Sequence, residues 1–168
     1  LTLEEFERAA RGNESVELSD AARFSIRESR RRLEKAASGS VPVYGVNTGF
    51  GDFSEIKISR ENLRSLQRNL IVSHSCGTGA PMAREEVRAM MLLRVNAVSR
   101  GYSGIRLETV EMIIRMLNSG IHPVVPEKGS LGASGDLAPL AHMVLAMIGE
   151  GEVEYNGIRM PSGKAFLQ

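Results

Sequence analysis

Five helical patterns in this chain each run into a glycine, and that punctuation constrains the fold more than any other feature. Thr2 and Glu5 form a capping box that opens the first pattern, which ends near Gly12. Ser19 and Asp20 cap a second, carried by Phe24, Ile26 and Leu33 and stopped at Gly39. Pro81 precedes another, with Val87, Met90, Met91, Leu93, Arg94 and Val98 ahead of Gly101. The next runs from Arg106 to Asn118, with Gly120 as its stop, and the last begins at Asp136 and meets Gly149. A further helix opens at Ser59, places Leu63, Leu66, Leu70 and Ile71 on one face, and ends at His74, shortly before Gly77. Only residues 152–160 read as strands, a small hairpin turning on Asn156-Gly157. The expected fold is mainly α.

At 168 residues the chain fits one domain able to bury ~70% of its unfolded surface. Its net charge of +1 comes from interspersed acidic and basic residues, which gives no electrostatic case for nucleic acid or an anionic membrane. The run Arg30-Arg31-Arg32 has Glu28 and Glu34 nearby and reads as a solvated helix face. No apolar run approaches the ~20 residues of a membrane span, and the acidic N-terminus has no signal-peptide pattern. Cys76 is the single cysteine, so no internal disulfide can form, and a reducing cytoplasm is expected. The three histidines sit on separate elements with no Cys or Asp/Glu grouping beside them, so no metal site is expected. The absent initiating Met, and a helix just beginning at Pro161-Ser162-Gly163-Lys164, lead to the expectation that the chain is a fragment.

Three stretches carry chemistry. Residues 129–139 read Gly-Ser-Leu-Gly-Ala-Ser-Gly-Asp-Leu-Ala-Pro. Gly135 lacks a Cβ, so its amide nitrogen can approach the Ala133 carbonyl in a turn closed to bulkier residues. Attack with loss of water would close a five-membered ring, and loss of a second water from Ser134 would leave an exocyclic methylidene, a strong electrophile. The helix that follows Asp136 would direct its positive end at the loop. Taken alone, the segment reads first as a Gly/Ser turn capping a helix, and the tripeptide by itself decides nothing. In the second stretch, residues 43–51, glycines and Asn47 flank Tyr44, but the spacing does not fit a dinucleotide site. It reads as a loop with a phenol at its base or as an anchored β-turn. In the third, His74 at a helix C-terminus is either a charge–dipole contact or a functional ring. His122 in Ile-His-Pro-Val-Val-Pro reads as part of a rigid spacer, and His142 as a satisfied core or interface histidine.

In their order and separation, the Tyr-Gly-Val-Asn-Thr-Gly-Phe-Gly loop, the Asn-Leu-x-x-Ser-His helix end and the Gly-Ala-Ser-Gly-Asp-Leu-Ala-Pro-Leu-Ala-His segment resemble one family. It is the aromatic amino-acid ammonia-lyases and aminomutases that carry a methylidene-imidazolone group. The resemblance runs along essentially the whole chain but corresponds to about the first third of a member. It implies a helical N-terminal domain of the ammonia-lyase (fumarase/aspartase-like) architecture over residues 1–168, with the C-terminal helical core absent. It also implies a prosthetic group formed from Ala133, Ser134 and Gly135, with no external cofactor. Tyr44 matches the family's catalytic base, and His74 and Gly51 match substrate-binding positions, with Asp136 and Asn47 in support. Ser73-His74 resembles the members that convert L-histidine to trans-urocanate and ammonia. Phenylalanine-using relatives carry an apolar pair there, while some tyrosine aminomutases share the His. Members are homotetramers that build each site from several subunits, so the fragment alone is expected to be inactive. A non-catalytic folding module is the competing expectation.

Overall fold

The computed structural model describes residues 1–39, 41–48, 60–131 and 135–168. Its helices are α1 (Leu3–Arg11), α2 (Asp20–Ala37), α3 (Arg60–His74), α4 (Arg84–Val98), α5 (Leu107–Ser119), α6 (Leu137–Met147) and the short α7 (Ser162–Ala165). Their ends follow the local chemistry. Thr2 Oγ1 accepts from the Glu5 amide at 3.2 Å while the Glu5 carboxylate accepts from the Thr2 nitrogen at 2.7 Å, a complete capping box. Ser19 Oγ accepts from the Ala22 amide at 3.2 Å. Gly120 closes α5 in the left-handed conformation at φ 70°, which a side chain would disfavour. Ser59 and the Leu63 side chain lie outside the described residues.

Strands are more numerous than the single expected hairpin. β4 (Glu152–Tyr155) and β5 (Ile158–Pro161) form that hairpin, with Asn156 and Gly157 at φ 52° and 75° as a type I′ turn requires. β2 (Ile121–Pro123) adds to β4 in antiparallel register, with His122 opposite Glu154. β1 (Thr78–Pro81) pairs with β3 (Pro126–Lys128) in a separate two-stranded ribbon. These three strands are too short and proline-bearing for any alternation to show; distant pairing creates them. Their prolines fall on edge strands, where a missing N–H costs nothing.

The core gathers Ile26 from α2, Val87, Met91 and Val95 from α4, Val110, Ile113 and Leu117 from α5, Met143 from α6 and Val153 from β4. Two residues assigned to the apolar side of α4 prove exposed: Leu93 and Arg94. Phe24 of α2 is 67% exposed as well. In both helices the buried stripe lies to one side of the residue chosen. On α4 it runs through Val87, Arg88, Met91, Leu92, Val95 and Val98. In the basic run of α2, Arg31 and Arg32 are exposed as expected and Arg31 bonds Glu28 at 2.9 Å, whereas Arg30 is half-buried and bonds both Glu34 at 2.7 Å and the Gly104 carbonyl at 3.2 Å. Among the described residues no helix is long and apolar enough to cross a membrane.

The buried stripe of α4 contains a charge. Arg88 is 2% exposed, and its guanidinium donates to the Ala9 and Ala10 carbonyls at the end of α1 and to the Leu117 carbonyl in the last turn of α5. Its Nη1 also donates to His122 Nε2 at 3.0 Å. Arginine has only donors, so Nε2 must be the acceptor and the ring neutral. Burial, with Arg84 and Arg88 nearby, pushes the His122 pKa down to about 4.

Two outcomes follow. Arg88→Met strands the helix-end carbonyls and the imidazole in the interior and should cost about 3 kcal/mol in urea unfolding. Unfolded His122 would titrate near 6.5, so the unfolded chain takes up the proton first as pH falls. Stability from this group is therefore complete above about pH 6.5 and declines down to about pH 4, by about 3 kcal/mol in all. A pH series of urea midpoints for the protein and for His122→Gln should show that decline in the parent only.

Candidate active site

Tyr44 sits in a turn over residues 44–47 and is 63% exposed. The turn is closed by the Val46 and Asn47 amides, which donate to the Val43 carbonyl at 3.0 and 3.2 Å, and Gly45 adopts φ 71° within it. Asn47 is 2% exposed and spends both ends of its amide on the neighbouring backbone. Its Oδ1 accepts from the Val43 nitrogen at 2.7 Å, and its Nδ2 donates to the Val41 carbonyl at 3.1 Å. The side chain thus holds the base of the Tyr44 loop in shape. Gly51 lies outside the described residues.

His74 ends α3 and is half-buried. Its Nδ1 is 2.9 Å from the Leu70 carbonyl, one helical turn back, and 3.1 Å from Ser73 Oγ. A carbonyl only accepts, so Nδ1 carries the hydrogen, and Nε2 is the one ring nitrogen left that can act as an acceptor. Ser73 donates its own hydroxyl to the same carbonyl at 3.0 Å. The ring is therefore oriented by its own helix and presents an acceptor.

Three residues on, Gly77 leads into β1, whose partner β3 leads into the 129–135 segment. Ala133 and Ser134 lie outside the described residues. Gly135 is half-buried in a turn, and Asp136 is the exposed N-cap of α6. The Asp136 side chain makes no capping bond, so the positive end of the α6 dipole lies at Asp136, one residue after Gly135. α6 packs on α3, and His142 Nε2 on α6 accepts from the Gly77 nitrogen at 3.0 Å. Burial holds the His142 pKa below its ordinary value, which keeps the acceptor available at neutral pH.

The fold thus ties His74, Gly135 and Asp136 into one frame, and the Asn47 bonds shape the base of the Tyr44 turn. Sequence reasoning missed Arg88 and the partner of His142. Arg88 carried a faint signal, since it directly follows Val87 on a stripe whose other members are apolar. Among the described residues no group of His, Cys, Asp or Glu could hold a metal ion.

The profile of the aromatic amino acid lyase family matches residues 1–168. The histidine ammonia-lyase of Natranaerobius thermophilus is 56% identical over 168 residues, covering all of this chain and 33% of that protein. The crystal structure of histidine ammonia-lyase from Trypanosoma cruzi superimposes with a TM-score of 0.87 at 36% identity, over 99% of this chain and 32% of that one. The phenylalanine aminomutase of Pantoea agglomerans superimposes with a TM-score of 0.93 at 37% identity, over 99% and 32% respectively. The chain therefore spans about a third of the length of the relatives it matches.

Replacing Asn47 by Ala removes both amide bonds under the Tyr44 turn. The expected loss is about 2 kcal/mol in urea unfolding, with faster hydrogen exchange at the Val43 amide.

Proposed function

Because the chain belongs to the aromatic amino acid lyase family, we propose that it is the N-terminal part of an ammonia-lyase that removes ammonia from L-histidine to give trans-urocanate. The observation that carries the choice of substrate is the His74 ring, fixed by Leu70 with Nε2 as an acceptor. An acceptor at that place suits the N–H of a substrate imidazole, and an apolar aromatic ring would leave it unpaired.

The residues present suit a methylidene-imidazolone. The Ala-Ser-Gly order supplies the carbonyl, the leaving hydroxyl and the unhindered nitrogen that ring closure needs, with two waters lost. The uncapped N-terminus of α6 directly after Gly135 favours negative charge there. Ala133, Ser134 and Gly135 would form the group, and Asp136 would support its formation or hold the loop. When present, it supplies an electrophile that captures the amino-acid substrate and makes ammonia a better leaving group.

This chain's residues do the rest. His74 positions the imidazole of the substrate. Tyr44 takes the β-proton as its phenolate, a role that needs positive dipoles around a group whose ordinary pKa is ~10. Asn47 keeps the Tyr44 turn closed, and Gly51 contributes to substrate binding. The working assembly is a cytoplasmic homotetramer in which other subunits complete each site, and the 168-residue chain alone is inactive. The competing 2,3-aminomutase outcome, for which the likeness to the Pantoea enzyme speaks, is told apart by its β-amino-acid product.

Mass spectrometry of the peptide over residues 129–142, taken from the complete protein, should show a deficit of two waters that Ser134→Ala abolishes. An unaltered mass would favour a non-catalytic module. Urocanate formation from L-histidine should accompany the deficit, and its appearance with the isolated chain would refute the claim that the chain alone is inactive. Replacing His74 by Leu should raise KM for L-histidine by about 10- to 100-fold while changing turnover of L-phenylalanine far less, measured by steady-state kinetics on both substrates.

A further inference from the structure

His142 has no part in the chemistry just described, yet its bond falls where the two halves of the proposed site meet. The ring stands on the sixth residue of α6 and accepts from the Gly77 amide at 3.0 Å. Gly77 is hemmed in there. A Cβ on it would lie 3.0 Å from His142 Nε2 and 3.2 Å from both the Lys128 carbonyl and Pro126 Cβ. Gly129 presses on the same point, since its own Cβ would come within 3.1 Å of Gly77 Cα and of Ala138 Cβ. The exit of α3, the end of β3 and the first turns of α6 therefore converge on two glycines and one imidazole.

The ribbon beside them cannot fix their register alone. β1 and β3 share the pairs Thr78–Lys128 and Pro81–Pro126 with an irregularity between them, and just past β1 the Met82 amide donates to the Val125 carbonyl at 2.8 Å. Short two-stranded ribbons are marginal without packing or side-chain ties. The His142–Gly77 bond supplies a tie that links α6 directly to the α3–β1 connection, three residues from His74.

We infer that His142 is a positioning residue: its bond to Gly77 sets the separation between the His74 ring and the start of α6 at Gly135 and Asp136, and with it the selectivity for an imidazole-bearing amino acid. This rests on the proposed lyase reading. An apolar residue at 142 would leave the Gly77 N–H without its acceptor and free the α3 exit to shift against the start of α6. Glutamine carries an acceptor oxygen at similar reach and should stand in for Nε2.

Kinetics of the complete protein test this with His142→Phe and His142→Gln. The Phe variant should keep the two-water mass deficit, lose about 30-fold in kcat/KM for L-histidine mainly through KM, and lose most of its preference over L-phenylalanine. The Gln variant should recover to within about threefold of the parent. Parent-like kinetics and selectivity in the Phe variant would overturn the inference, as would equal damage in both variants. If the parent itself shows neither mass deficit nor urocanate, the lyase reading fails first, and nitrogen-15 NMR of the labelled chain decides the rest. A coupling between the Gly77 nitrogen and His142 Nε2, with His74 ring resonances that move in His142→Phe and return in His142→Gln, upholds the positioning role. Unmoved His74 resonances reject it.

Discussion

The guanidinium of Arg88 is the contact on which the rest of the structure depends. Helices leave their last carbonyls unpaired, and burying such ends without donors is costly. Here one side chain supplies donors to the ends of α1 and α5 and to the ring of His122 on β2. No ion pair among the described residues includes Arg88, so its charge is met by the negative ends of two helices instead of a carboxylate. The arrangement links α1, α4, α5 and β2. It also holds His122 neutral, because a second cation beside Arg88 would be repelled in a poorly solvated place.

From that hub the framework reaches the proposed site through β2 and the residues that follow it. β2 hands the chain to β3, β3 to the 129–135 segment, and that segment to α6. α6 then packs on α3, whose last residue is His74. The rigid part of the molecule thus meets the chemical part at a crowded joint of two glycines and His142. At that joint and at the end of α3, a backbone partner sets the role of one nitrogen in each imidazole. His74 is held as an acceptor by the Leu70 carbonyl, and His142 is used as an acceptor by the Gly77 amide.

Much of the helical framework was legible because its signals are local. The Thr2–Glu5 box, the Ser19 cap, Gly120 in its left-handed turn and the Asn156-Gly157 hairpin each depend on residues within one turn of one another. Phe24, Leu93 and Arg94 were misplaced because a helical period identifies a stripe only to within one residue either way, and the packing of neighbours decides which edge is buried. β1, β2 and β3 were invisible for a different reason. At three or four residues they have no pattern of their own, and β2 exists because β4, some thirty positions later, pairs with it.

The same division applies to the candidate site. The order Ala-Ser-Gly, the phenol in a glycine-rich turn and a histidine at a helix end are covalent facts, and with them the chemistry open to the chain was already set by its sequence. Which nitrogen of His74 carries the hydrogen and what the Asn47 amide holds were decided by the local backbone path, and that His142 bonds Gly77 was decided only by tertiary structure. Each turns on the distance between atoms of backbone and side chain, and in the last case the partners lie sixty-five residues apart. A chain states its reactive groups in its residues, but how those groups are held relative to one another comes from contacts that exist only once distant segments have packed together.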